Sequence, residues 1–251
     1  MDGSATAPAL NAFTRRLTQL VPLSSKEIMI LGELQSSTRV VQRHRDIITE
    51  GRSHGNLFII LEGNAIRYRI LHDGRRQIVN IMLPGDIVGT LGSFMESTLY
   101  STKALTEVLV ATLPLVRLSG LIETHPQLAA KIFLSFSCET TIYAEHLVDL
   151  GRRSALERVG HFLLELLVRL QTVGLADDQS FKIPLTQELI ADALGLSVPH
   201  VNRVLRRLRE DNLLVVEDQR VIVKDIEALS ELADFDPGYL SRLPSSDLLG
   251  A

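Results

Sequence analysis

The chain has 251 residues, 45% of them hydrophobic, with 26 basic and 30 acidic side chains and a net charge of −4. That is the balance of an ordinary globular protein with room for one large domain or two small ones, and it excludes a chain that is basic throughout. The single cysteine, Cys138, excludes an intramolecular disulfide, a multi-cysteine metal cage and a four-cysteine iron–sulfur cluster held by one chain.

Residues 8–35 are predicted to be helical, with Leu17, Leu20, Ile28 and Leu31 as apolar contacts. Short apolar runs then alternate with turn signals about every ten residues. In 64–71, Ile66, Tyr68 and Ile70 alternate with Arg67 and Arg69, the period-two signature of a half-buried strand. Residues 57–61, 77–83 and 108–113 read similarly, which predicts a small antiparallel roll over 12–125. Near residue 120 the period becomes helical. Pro126 suits a first helical position. Leu128, Ile132, Phe136, Ile142 or Tyr143, Leu147 and Leu150 then form a stripe of about 25 residues, or ~37 Å. Such a helix either packs on its own domain or lies against a second copy; so long a stripe calls for a long partner, so 126–150 is predicted to be a two-fold dimer helix, with Tyr143 taken as the dimer residue. Ser154 and Glu157 fit a capping box opening another helix. Residues 174–180 read as a polar loop. The tail 236–251, with Pro237, Gly238 and Pro244, is expected to be flexible.

Residues 185–210 carry the sharpest signal. Thr186 can cap a helix with Leu189, Ile190, Ala193 and Leu194 on its apolar face, and Ala191 where a second helix crosses closely. Gly195 suits the turn, because a helix end favours a residue that tolerates left-handed angles. Ser197 can cap the next helix, with Pro199 in its first turn and Val201, Val204, Leu205 and Leu208 facing inward. That is a helix–turn–helix. Segment 197–209 has four arginines and no acid. Arginine is bidentate to guanine and asparagine to adenine, so His200, Asn202, Arg203, Arg206 and Arg207 suit base and phosphate contacts. Thr186, Gln187 and Ser197 join them as candidate contacts to double-stranded DNA. Residues 213–216 and 221–223 predict a hairpin, so the domain over 151–230 is winged. The fold class is therefore α+β: a β-roll, a long helix and a winged helix–turn–helix.

In this order, the chain resembles the CRP/FNR superfamily of bacterial transcription regulators over about residues 12–230. The resemblance rests on Glu50-Gly51, on 58–63, on Asp73-Gly74-Arg75-Arg76, on Pro84-Gly85-Asp86-Ile87-Val88-Gly89, on the helix from Pro126 and on the helix–turn–helix. It implies a cyclic-nucleotide-binding-like roll and a homodimer reading two half-sites through the helix at 198–210, with RNA polymerase as a partner. It also places an effector pocket at Gly89, Thr90, Leu91, Ser101, Thr102 and Tyr143.

The resemblance has gaps. Cyclic-nucleotide members carry a Glu for the ribose where this chain has Thr90, and an Arg-Ser or Arg-Thr for the phosphate, yet no arginine lies between Arg76 and Arg117. Without a charged donor the strong bonds to phosphate are lost, so cyclic AMP is not expected as the effector, and no cofactor is predicted. Pro199 stands where many members carry a Glu, so the half-site read should differ from the common one. Cys138 reads as a small buried apolar residue. The sequence shows no metal-ligand spacing, nucleophile elbow or phosphate-binding glycine loop, so no catalytic or metal residue is predicted; His161 and Glu165 read as a surface pair. A ligand-binding module whose helix–turn–helix contacts protein is the alternative. No membrane span or signal peptide is read, and the expected location is the cytoplasm.

Overall fold

The structure, a computed structural model, describes residues 10–93 and 95–241. Two short helices come first, α1 (Ala12–Leu20) and α2 (Ser25–Leu34). Asn11 and Ser24 cap them, each side chain accepting from the backbone N–H three residues on. Strands β1 (Thr38–Val41), β2 (Asp46–Ile48), β3 (Asn56–Glu62), β4 (Ala65–Ile70), β5 (Arg76–Met82), β6 (Ile87–Val88), β7 (Ser101–Ala104) and β8 (Val108–Pro114) follow. They form two antiparallel sheets of order β1-β8-β3-β6 and β2-β7-β4-β5. Strand β3 is buried on both faces. Phe58 and Ile60 belong to the roll interior with Val41, Val88 and Val110. Leu57 and Ile59 belong to the helical layer, with Phe13, Leu17 and Leu31.

Strand β4 departs from the expected half-burial, since residues 65–68 are all buried. Arg67 is 2% exposed and Ile70 is 55% exposed. Alternation itself holds: Ile66 and Tyr68 pack on one cluster with α5, while Ala65 and Arg67 lie on the opposite face, which the roll interior closes, and the β4–β5 register slip falls at Val79 of β5.

Helices α3 (Leu115–Thr124) and α4 (Pro126–Gly151) follow. Here the predicted dimer stripe is corrected. Leu128 and Ile132 are buried against their own roll, Phe136 packs on the same cluster, and Tyr143 bonds to roll residues. Leu147 and Leu150 stay exposed, and Leu150 lies against the turn at Gly195. The physical reason is that α4 has two periodic faces, and its more apolar one covers the sheet that α1 and α3 also cover. The other face exposes Ala130, Phe133, Ser137, Thr140, Ala144 and Leu147. Steps of three and four residues alternate along it, the spacing of a coiled-coil seam.

The C-terminal part holds α5 (Ala155–Thr172), β9 (Ser180–Lys182), α6 (Gln187–Leu194), α7 (Val198–Glu210), β10 (Leu214–Glu217), β11 (Arg220–Val223), α8 (Ile226–Ala233) and α9 (Gly238–Ser241). The Ser154–Glu157 capping box opens α5. The wing is a three-stranded sheet of order β10-β11-β9, one strand more than the predicted hairpin. Asp218 and Gln219 both take positive φ (48° and 64°), as a two-residue hairpin turn of matching twist requires. The flexible tail expected from Asp236 is corrected for 236–241: α9 packs on α4 through Tyr239. The rest of that tail lies outside the described residues. Among the described residues no helix is long and apolar enough to cross a membrane.

Candidate functional site

The helix–turn–helix is built as its residues require. Thr186 caps α6 by accepting from Leu189 N–H at 3.1 Å. Gly195 ends it at φ 63°, ψ 34°, a left-handed conformation that a Cβ would strain. Val201, Val204 and Leu208 are buried, which leaves the opposite face of α7 in solvent. The Ser197 side chain makes no cap bond, contrary to expectation, so its hydroxyl is free at the exposed start of α7.

The predicted DNA contacts fall into three groups. Asn202, Arg203 and Arg206 share the exposed face of α7. Asn202 donates to Gln187 Oε1 at 3.3 Å, which joins the two helices at that face. Arg203 makes no ion pair among the described residues, and Arg206 lies 3.8 Å from Glu210. Arg207 is turned toward Asp211, with Nε 2.6 Å from its carboxylate. His200 is half-buried at the rim. Arg209 was not among the expected contacts. It rims, with Gln187, Asn202 and Arg206, a cleft of about 400 Å³ between α6, α7 and the wing.

The roll interior differs more from expectation. The Arg67 guanidinium is bonded to Glu139 and Tyr143 of α4. Its other nitrogen donates to the Ile87 carbonyl at 3.3 Å and Thr90 Oγ1 at 3.4 Å. Thr90 donates to Glu139 at 2.7 Å, and Tyr143 donates to it at 2.8 Å. Burial pushes the Glu139 carboxyl up, but Arg67 and its hydrogen bonds outweigh that and hold it below the usual range. Of the predicted pocket, Thr90 and Tyr143 therefore meet on one buried ion pair, next to Gly89 at φ 105°. Thr102 is buried opposite Arg67 in the β4–β7 register. Ser101 is committed to the Glu50 N–H at 3.0 Å, and Leu91 is exposed. A neighbouring crevice lined by Arg16, Asp86, Ser135 and Glu139 has about 10 Å³, room for roughly one water. Lys103 of β7 lies over the Tyr68 ring.

Residues 38–125 match the family model of the cyclic nucleotide-binding domain, and 157–232 that of the Crp-like helix–turn–helix domain. The nitrogen fixation regulation protein FixK of Bradyrhizobium diazoefficiens is 33% identical over 198 residues, 79% of this chain and 80% of that protein. The chain belongs to the CRP/FNR superfamily. The transcriptional activator protein Anr of Pseudomonas aeruginosa is 28% identical over 220 residues, 85% of this chain and 90% of that one. The structure of FixK2 from Bradyrhizobium japonicum superposes at a TM-score of 0.70 and 26% identity, over 78% of this chain and 96% of that one. Like these relatives, the chain is a DNA-binding transcription regulator of the CRP/FNR type.

How this CRP/FNR chain joins its roll to its helix–turn–helix was not read from the sequence. Arg76 makes two bonds to Asp192 of α6, at 2.7 and 2.8 Å, and Gln77 donates to the Ala193 carbonyl at 3.1 Å. Deeper in, Arg169 of α5 reaches Glu165 (2.9 Å), Asn80 (3.1 Å), the Ile81 carbonyl (2.9 Å) and Asp86 (2.7 Å). Asp86 is also paired with Arg16 of α1. The expected surface pair is corrected here too: His161 and Glu165 are 1% and 0% exposed, because α5 packs on almost every side. Cys138 is half-buried, and burial pushes its thiol up by more than Arg16 lowers it, which suits a packing role.

His146 of α4 completes this junction. Its Nε2 lies 3.0 Å from Glu165 Oε2 and its Nδ1 lies 3.4 Å from the Val79 carbonyl. Both neighbours are acceptors, so the protonated ring fits best. Burial lowers its proton affinity, but Glu165 and Asp149 outweigh burial and Arg169, and the net shift from 6.5 is upward. A raised folded-state value adds stability that is full below the unfolded value and is lost as pH rises through the folded one. The stability contributed by this contact is therefore expected to be complete below about pH 6.5 and to fall above it. His146→Gln is expected to flatten that part of the unfolding midpoint against pH. An identical profile in both proteins would contradict this.

Proposed function

We propose that the chain works as a homodimer gripping a two-fold-symmetric DNA site, and that it does so without a cyclic nucleotide. The observation that carries the reading is the outer face of α7, where Arg203 stands exposed and unpaired among the described residues beside the Gln187–Asn202 pair. An arginine with no protein partner keeps its bidentate donors for a guanine edge. Arg206 and Arg209 flank it where phosphates would pass. Arg203→Ala is expected to weaken specific binding roughly 5- to 150-fold, the worth of one bidentate base contact, and to relax preference at one position per half-site. Unchanged affinity and preference in a binding titration would refute this role.

The exposed seam on α4 supports a parallel partner helix, with Phe133, Thr140 and Leu147 alternating with Ala130, Ser137 and Ala144. Two copies joined there would carry their α7 helices to major grooves about 34 Å apart. Leu147→Glu sets like charges against each other across the seam, and the variant is expected to sediment as a monomer. A variant dimer as tight as wild type would move the interface elsewhere.

The roll interior supports independence from cyclic nucleotides. Its buried cation is already neutralised by Glu139, and a phosphate would have to displace that carboxylate. The activators among the relatives support activation, with RNA polymerase as a partner, in the cytoplasm.

A further inference from the structure

The family helix–turn–helix match ends at residue 232, but the fold does not. After α8, Asp234 takes a left-handed conformation (φ 49°, ψ 48°) and reverses the chain. Arg153, in the link between α4 and α5, donates to the Asp234 carbonyl at 3.1 Å and to its carboxylate at 3.4 Å. Phe235 meets the buried His161 ring edge-on, with centroids 5.1 Å apart. Tyr239 stacks on the same ring at 5.8 Å and 9°. The Tyr239 hydroxyl donates to Glu165 Oε2 at 3.0 Å, and its carbonyl accepts from Thr141 Oγ1 at 2.9 Å. One short segment thus touches α4 at Thr141, the link at Arg153, and α5 at His161 and Glu165.

We propose that residues 234–241 are a strap that fixes the DNA-binding domain on the long helix and thereby sets which half-site spacing the dimer accepts. This rests on the DNA-binding homodimer read above. The covalent connection between α4 and α5 is the short link 152–154. A swing about so short a link would displace both α7 helices and change their separation. The strap opposes the swing because its contacts lie on both sides of the link. Tyr239 is the key positioning residue, since among the residues of the segment whose side chains are described it alone bonds to α4 and α5 together. It donates to the carboxylate that His146 and Arg169 also hold. Burial and Glu165 push the Tyr239 hydroxyl far up, so it remains a donor throughout the physiological range.

The test uses the full chain, Tyr239→Phe, Tyr239→Ala and a chain ending at Ala233. Each binds duplexes whose two half-sites are at the preferred spacing or one and two base pairs off. Wild type is expected to discriminate between spacings. Tyr239→Phe keeps the ring and loses the bond to a charged acceptor, so its discrimination is expected to fall about tenfold. Tyr239→Ala and the shortened chain are expected to fall further, with faster amide exchange around the link in the absence of DNA. Wild-type binding with discrimination unchanged in Tyr239→Ala and in the shortened chain would overturn the strap alone. A wild type that binds no duplex would overturn the functional reading and the spacing claim together. Tyr239→Phe guards against misfolding, because it preserves the packing on His161.

Discussion

Arg169→Met is expected to destabilise the protein by about 3–5 kcal/mol, the usual cost of removing one member of a buried ion pair. Arg169 is 7% exposed and is the cation between Asp86 of the roll and Glu165 of α5. Methionine fills similar volume but leaves His146 as the one charged partner of Glu165 and Arg16 as the one charged partner of Asp86 among the described residues. The loss should appear as a lower denaturant midpoint. Arg75→Ala is the control. Arg75 pairs with Asp73 in the open, with both side chains more than half exposed, and its loss should leave the midpoint unmoved. A midpoint unchanged in Arg169→Met would mean that the roll and the DNA-binding domain are not joined through this cluster.

Arg67→Met should cost a similar amount, about 3–5 kcal/mol, because it strands the buried Glu139 carboxylate. The informative comparison is the double variant Arg67→Met with Glu139→Leu. Replacing both charges by apolar groups removes the stranded charge, so the double variant should be more stable than Arg67→Met alone. That non-additivity is the signature of a direct pair. If the single variant kept the wild-type midpoint, Glu139 would be solvated and the roll interior would be open to a ligand.

What was legible in the sequence was local. Thr186, Gly195 and the Ser154–Glu157 box act through bonds and backbone angles within a few residues, so their chemistry can be read in order. What was hidden depends on distant partners. Arg67 kept the alternation, on the face opposite Ile66 and Tyr68, but that face is closed by the roll interior and α4, and no local pattern of residue types reports a cover supplied by distant elements. Leu128 and Leu147 belong to the same helix and the same period, but only the sheet under Leu128 distinguishes a core face from an exposed seam. His161 and Glu165 are polar one turn apart, a surface pattern anywhere but on a helix enclosed by the roll, α8 and α9. Tyr239 sat in a Pro- and Gly-containing tail whose composition says nothing of the carboxylate waiting for its hydroxyl.

The most direct test of the account is selection of the purified chain, with no small molecule added, on a random duplex pool followed by sequencing. Enrichment of a two-fold-symmetric site, with half-site centres about one helical turn apart, is the predicted result. Enrichment only after a cyclic nucleotide is added, or none at all, would contradict it.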